Sequence, residues 1–398
     1  MKISLAATNP CHVYPFAVEL AKVGALGAYY SGYPAWKLPG SDALPLRVHS
    51  LRTNVVYGLL KYAPERLRPS SRALFLWQDR GFDRWTGAHL EACDFIHGIP
   101  GQCLHIFRAA KKLGVRTVLN HATGPVRDWV KIMEPEYARA GLKLTDACPY
   151  DADYFRREDE EYALADFHCA ASTVVRDQLI ARGIEATRIW LVPYGADEAI
   201  FHRGLPLLRR AGQVAGPPPD PLAAGAASHG AQPFRIVFAG QVGLRKGLRT
   251  FLDALSLAAR RDWCVEFFGA VLGEARADLD AYRGATPLTF HGAVSQQKLA
   301  DGFRAGSVLV LPSLEEGFGL VVPQALSCGC PAIVSDRVGA KDLVRHRDNG
   351  SIFKTNDATA LAAELIWWAE NPRRTSDVLC WKMPAEILLS ASRAAIGK

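Results

Sequence analysis

Residues 308–335, VLVLPSLEEGFGLVVPQALSCGCPAIVS, decide the fold. Val308 to Leu311 is an aliphatic run of strand length, suited to burial on both faces, and Pro312–Ser313 ends it. The loop that follows, Leu314 to Gly319, carries two carboxylates, Glu315 and Glu316, and two glycines. Leu320 to Leu326 reads as a helix in which Pro323 falls early enough for its missing amide to cost little. Gly329 stops this helix, and Ala332 to Val334 begins another strand. Strand, glycine-bearing loop, helix and strand make a βαβ crossover. Its loop lies at the carboxyl end of a parallel strand, where open α/β sheets bind ligands. Amides at a helix start, with glycines that admit a ligand, predict an anion or phosphate site over Gly317, Phe318, Gly319 and Leu320. A carboxylate beside that site repels phosphate, so Glu316 is predicted to accept hydrogen bonds from the hydroxyls of a sugar or ribose.

The run Glu316-Gly317-Phe318-Gly319-Leu320, the polar Gln324 and then Ala325-x-x-x-Gly329-x-Pro331 resemble the signature of retaining family 4 glycosyltransferases of the GT-B fold. In that family two glutamates grip the donor, the first at the sugar and the second at the nucleotide ribose. The resemblance assigns the sugar to Glu316. Gln324 stands at the second position and keeps the capacity to hydrogen-bond ribose hydroxyls. The implied fold is α/β, with two doubly wound Rossmann-like domains facing a cleft. The implied reaction moves a glycosyl group from a nucleoside diphosphate sugar to a glycan or lipid-linked acceptor hydroxyl, with retention of anomeric configuration and with neither cofactor nor divalent metal. Two other readings use the same donor site: a degenerate transferase that binds nucleotide sugar and regulates a partner, and a nucleotide-sugar epimerase.

Composition sets the frame for this. At 398 residues the chain suits two domains, and 49% apolar with 22% charged residues describes a globular protein with ample core. A net charge of +7 is compatible with an anionic substrate or an anionic membrane surface, whereas a nucleic-acid binder concentrates more charge. Lys61, Arg66, Arg68 and Arg72 cluster near Val55–Leu60, either as a solvated face or as a membrane-docking one. Nine scattered cysteines, an odd number, form no disulfide framework and point to a reducing compartment. The apolar start is broken by Asn9-Pro10 before it reaches signal-peptide length, and no window spans a bilayer. A cytoplasmic protein is expected, at most lying on the inner face of a membrane.

Along the chain, Ile3–Ala7 reads as the first strand, Val13–Val23 as its helix and Ala25–Tyr30 as a second strand. From Ser31 to Leu90 the periodicity is weak, apart from a helix over Arg72–Leu90. Asp94–His97, a helix over Gln102–Leu113 and Val115–Leu119 form a second βαβ unit, which ends in Asn120-His121. The resemblance places His121 against the donor's sugar and phosphate; His97 reads as a core histidine. Asp151-Ala152-Asp153 matches the Asp-x-Asp pattern of metal-dependent transferases, but it precedes an acidic helix with no strand leading in, which favours a capping role. Pro193-Tyr194-Gly195-Ala196-Asp197 with Phe201 resembles the family's boundary phrase. The first domain is therefore set at 1–203, a flexible linker at 204–233, the nucleotide-sugar domain at 234–375, and a tail at 376–398 that crosses back to the first domain. After the strand Phe234–Ala239, the loop Gly240–Gly247 puts Arg245 and Lys246 beside a helix start, where they suit a diphosphate leaving group. In the resemblance Lys246 matches the family lysine and Gln241 occupies an arginine position, with Arg245 supplying the missing charge.

Overall fold

The computed structural model describes residues 1–64, 71–144, 150–204 and 233–396. Its chain forms two compact units, the first from Met1–Lys131, Lys143–Tyr194 and Trp381–Lys398, the second from Ile132–Leu142 and Gly195–Cys380. The passage out of unit 1 thus follows Tyr194, earlier than position 203, and the return follows Cys380, later than 375. Of the expected linker, residues 205–232 lie outside the described residues, as do Arg66 and Arg68.

Unit 1 holds one parallel sheet of seven strands: β1 (Ile3–Ala7), β2 (Leu26–Ser31), β3 (Leu46–Val48), β4 (Phe95–Gly98), β5 (Arg116–His121), β6 (Phe167–Ala170) and β7 (Ile189–Leu191). Their order is β3-β2-β1-β4-β5-β6-β7, so the winding reverses between β1 and β4. Ile3 lies opposite Phe95 on one side and Leu26 on the other, so β1 is a central strand, and all five of its residues are buried, in keeping with a sequence that is apolar except at Ser4. The helices are α1 (Val13–Lys22), α2 (Leu51–Tyr62), α3 (Ser71–Ala88), α4 (Leu104–Lys112), α5 (Val126–Arg139), which from Ile132 on counts with unit 2, α6 (Ala152–Leu164) and α7 (Thr173–Ala181). Helix α1 buries Val13, Phe16, Ala17 and Leu20, one face at helical spacing. Asp151 caps α6 by accepting from the Tyr154 amide at 2.8 Å, and Ser172 caps α7 through the Val175 amide at 3.2 Å. Asp153 is held by Arg80 and Arg156, so the Asp-x-Asp motif is spent on capping and surface ion pairs.

Unit 2 repeats the plan with six parallel strands: β8 (Phe234–Ala239), β9 (Trp263–Phe268), β10 (Leu288–Gly292), β11 (Val308–Leu311), β12 (Ala332–Ser335) and β13 (Gly350–Phe353). The order β10-β9-β8-β11-β12-β13 reverses between β8 and β11. Helices α8 (Leu248–Ala258), α9 (Arg276–Ala281), α10 (Gln296–Ala305), α11 (Val321–Ser327) and α12 (Ala358–Glu370) complete it. The core joins β8, β9 and β11 to α8 and α12 through Phe238, Phe251, Phe267, Leu365 and Trp368. After Cys380 the chain re-enters unit 1, where α13 (Lys382–Ile396) packs on α1. The described cysteines are all free, and among the described residues no helix is long and apolar enough to cross a membrane.

Candidate active site

Where the strand order of a parallel sheet reverses, two neighbouring loops leave in opposite directions and open a crevice between them. In unit 2 these are the loop after β8, Gly240–Gly247, and the loop after β11, Pro312–Leu320. They touch backbone to backbone. Leu314 donates its amide to the Arg245 carbonyl at 2.9 Å, and a Cβ on Gly247 would meet the Pro312 carbonyl oxygen at 1.9 Å. Gly247 also has φ +71°, a left-handed conformation that other residues adopt at a cost, so both space and backbone demand glycine there. The second loop is tied to a third, since Gly339 and Ala340 donate to the carbonyls of Glu316 and Phe318 at 2.9 and 2.6 Å. The Leu244 amide donates to Glu274 at 2.9 Å, which anchors the first loop to the turn before α9.

This arrangement converges four charges. Lys246 Nζ bonds Glu316 Oε2, and Arg245 Nη1 lies 3.3 Å from the same oxygen, 3.4 Å from Glu315 Oε2 and 3.0 Å from the Glu315 carbonyl. The side chains of Lys246 and Glu316 are 11% and 14% exposed. Burial pushes the Glu316 carboxyl up, but Lys246 and Arg245 together outweigh it and leave the group below its ordinary value. Glu315 shifts the other way, raised by burial, with Arg245 opposing and Glu316 adding to the rise. The two cations expected to meet a diphosphate are therefore both engaged by the carboxylate expected to meet the sugar, with Glu315 also beside Arg245. Gly317, Phe318 and Gly319 are buried, Gly319 at φ +95°, and Leu320 and Gln324 are half-buried around the start of α11. At seven residues α11 is short, so side-chain charge outweighs any helix dipole here. Gln241 is exposed on the rim of the first loop.

The family model described as glycosyl transferases group 1 matches residues 233–371, which include both loops. This part of the chain is similar to the glycosyl transferases group 1. A D-inositol 3-phosphate glycosyltransferase of Arthrobacter sp. (strain FB24) is 36% identical over 181 residues, 41% of this chain and 43% of that protein. D-inositol 3-phosphate glycosyltransferase 1 of Catenulispora acidiphila is 29% identical over 265 residues, 60% of each. The chain thus spans about half the length of the curated relatives it matches. In fold it is similar over its whole length to Anabaena HepE in complex with UDP, at TM-score 0.60 and 15% identity, covering 100% of this chain and 99% of that one.

Within the matched segment the structure brings together Arg245, Lys246, Glu316 and the Gly317–Leu320 turn, while Gln324 lies one helical turn on. Sequence reading missed the work of Glu315 and Glu274. Only the paired carboxylates of the loop hinted at the former, and a lone glutamate in a turn gave no signal for the latter. His121 belongs to the other unit. It ends β5 in unit 1 as expected, but its ring is 1% exposed, with Nε2 3.0 Å from His168 Nδ1 and Nδ1 3.4 Å from the Tyr162 hydroxyl. Burial, with His168 and Arg182 nearby, holds it neutral, and both ring nitrogens face protein. The last residue of a strand points to one face or the other, and here it points into the core. His12, in the loop after β1, bonds Asn120 Oδ1 at 3.0 Å and stacks on Tyr194. His97 is fully buried, in keeping with a core role.

Proposed function

We propose that the chain transfers a glycosyl group from a nucleoside diphosphate sugar to an acceptor hydroxyl with retention of configuration. The observation that carries this is the meeting of Arg245 and Lys246 with Glu316 at the strand-order reversal of unit 2. Before a donor arrives the site is closed on itself electrically. A diphosphate offers Lys246 and Arg245 more negative charge than one carboxylate does, so it displaces Glu316 from them. The released carboxylate then accepts hydrogen bonds from the sugar hydroxyls. The same two cations stabilise the charge that grows on the diphosphate as the glycosyl bond breaks, which is where fixed charge lowers a barrier most. Gln324 would take the ribose hydroxyls, and the Gly317–Leu320 turn lets the donor approach the backbone. The relatives named D-inositol 3-phosphate glycosyltransferases favour transfer to a hydroxyl over epimerisation. The acceptor is a glycan or a lipid-linked hydroxyl compound, and the latter would bring the chain to a membrane surface.

Incubating the protein with a panel of nucleoside diphosphate sugars, with and without candidate acceptors, tests the reaction. A glycoside with the donor's anomeric configuration, read by proton NMR, is the expected product. Free isomerised sugar without any acceptor would assign an epimerase, and binding without any product a regulatory binding protein.

A further inference from the structure

Helix α2 is turned the wrong way round for a helix in water. Its buried positions are Thr53 and Val56, on one face. The opposite face, spaced four and then seven residues apart, carries Leu51 (70% exposed), Val55 and Tyr62 (76% exposed). Polar side chains normally occupy such a face. Instead Arg52 and Lys61 flank it, one on each side, and α2 contains no carboxylate. Two more exposed aromatics adjoin it. Trp36 (79% exposed) lies in the turn that reaches α2 through the Tyr33–Tyr57 ring contact, and Trp77 projects from α3.

Each of these outward aromatics has a cation beside its ring. Lys37 Nζ is 4.7 Å from the Trp36 centroid, Lys61 Nζ 5.0 Å from that of Tyr62, and Arg52 Cζ 4.4 Å from that of Trp77. An apolar ring paired with a cation suits a boundary where hydrocarbon gives way to phosphate, because the ring enters the apolar layer while the cation meets the anion above it. Lone surface aromatics need no explanation, but here two links tie the pairs to α2, the Tyr33–Tyr57 ring contact and the Arg52 bond to the Trp77 carbonyl, while Tyr62 lies on α2 itself.

We propose that the outward face of α2, with Trp36 and Trp77, docks on an anionic lipid surface. A second copy of this chain is a poor occupant, since its matching patch would oppose cation to cation. Docking gives a lipid-linked acceptor a place to be met, and to that extent rests on the transferase reading, but the surface can be tested without any sugar. The full chain would be floated with vesicles of phosphatidylcholine alone and with added phosphatidylglycerol, at low and high salt. It should rise with the anionic vesicles and be released by salt. The triple variant Trp36→Ser/Leu51→Ser/Tyr62→Ser should bind them at least about tenfold more weakly at unchanged Tm, because all three side chains are exposed. Lys37→Gln/Lys61→Gln should lose the preference for phosphatidylglycerol. Wild-type protein that stays at the bottom of the gradient, or a triple variant that floats like wild type, would overturn the proposal. So would a wild-type dimer, seen by light scattering, that the triple variant abolishes, for the face would then belong to a second copy. Nucleoside diphosphate affinity of the triple variant, equal to wild type, separates this surface from the site in unit 2.

Discussion

Replacing Glu316 by glutamine should tighten the binding of a nucleoside diphosphate while removing glycosyl transfer. In the free protein Lys246 and Arg245 share Oε2 of Glu316, so an incoming diphosphate must displace a carboxylate and then remain beside it. At a separation of about 5 Å and an effective dielectric of about 20, that repulsion is about 3 kcal/mol. Part is relieved by movement and by the solvent that reaches a side chain 14% exposed, leaving a gain of about 1–2 kcal/mol on removing the charge, or about five- to thirtyfold in Kd. Stability should move the other way. Breaking a buried pair costs up to about 3–5 kcal/mol, but Arg245 stays near Glu315 and the amide still accepts from Lys246, so about 1–3 kcal/mol is expected. The folded Glu316 carboxyl titrates below its unfolded value of about 4.3, so its contribution is present above that pH and is lost as pH falls through the folded value. The variant should therefore melt lower at neutral pH, and its Tm should fall less steeply in acid. Isothermal titration of wild type and Glu316→Gln with a nucleoside diphosphate and with the matching nucleotide sugar reads the rest. The sugar-bearing ligand should gain less, because an amide accepts more weakly than a carboxylate from its hydroxyls. Equal or weaker diphosphate binding by a folded variant would refute the displacement of Glu316.

Three further outcomes are expected. Arg245→Ala/Lys246→Ala should weaken nucleoside diphosphate binding by more than about tenfold in the same titration, since each charge-assisted contact contributes roughly 1.5–3 kcal/mol; unchanged affinity would make the loop a surface turn. Gln324→Glu should tighten binding of the ribose donor but not of its 2′-deoxy analogue, and equal affinities across the four combinations would remove the ribose role. Acid should unfold unit 1 through its buried histidines, because burial drives the values of His97 to about 3 and of His12 and His168 to about 4. These lie below the unfolded value of about 6.5, so stability is intact above that pH and falls as the unfolded chain takes up protons, by about 2.5 kcal/mol per histidine near pH 4.5. His97→Leu, which removes a ring with no hydrogen-bond partner on either nitrogen, should flatten the Tm profile between pH 6.5 and 4.5; an unaltered slope would count against it.

Strands buried on both faces were the easiest elements to read. Ile3–Ala7, Phe234–Ala239 and Val308–Leu311 occupy the residues that their mostly apolar runs predict. Helix α5 was not legible, because Pro135 interrupts its pattern and a single sequence does not show that neighbours tolerate the lost hydrogen bond. Helix α2 was obscured by its apolar residues lying on both faces, so no helical period stood out. Around the candidate site, the placement of Arg245, Lys246 and Glu316 in glycine-bearing loops after buried strands was legible. Their mutual pairing was not, because it depends on how closely two loops distant in sequence approach, and that spacing is set by the contact of Gly247 with Pro312. The burial of His121 was not legible either, because successive residues at a strand end point to opposite faces and its partners His168 and Tyr162 are distant in sequence.

Unit 1 takes its final piece from the far end of the chain. Trp381 meets Phe16 edge-on at 5.3 Å and lies 5.6 Å from Tyr194, and α13 behind it covers α1. On the ribosome, α1 must therefore wait uncovered while the rest of unit 2 is synthesised. Unit 2 needs from earlier in the chain only Ile132–Leu142, so it can close as soon as Cys380 has emerged. The order of maturation is then the reverse of the order of synthesis, and Trp381 with α13 acts as a clasp that seals the older half last.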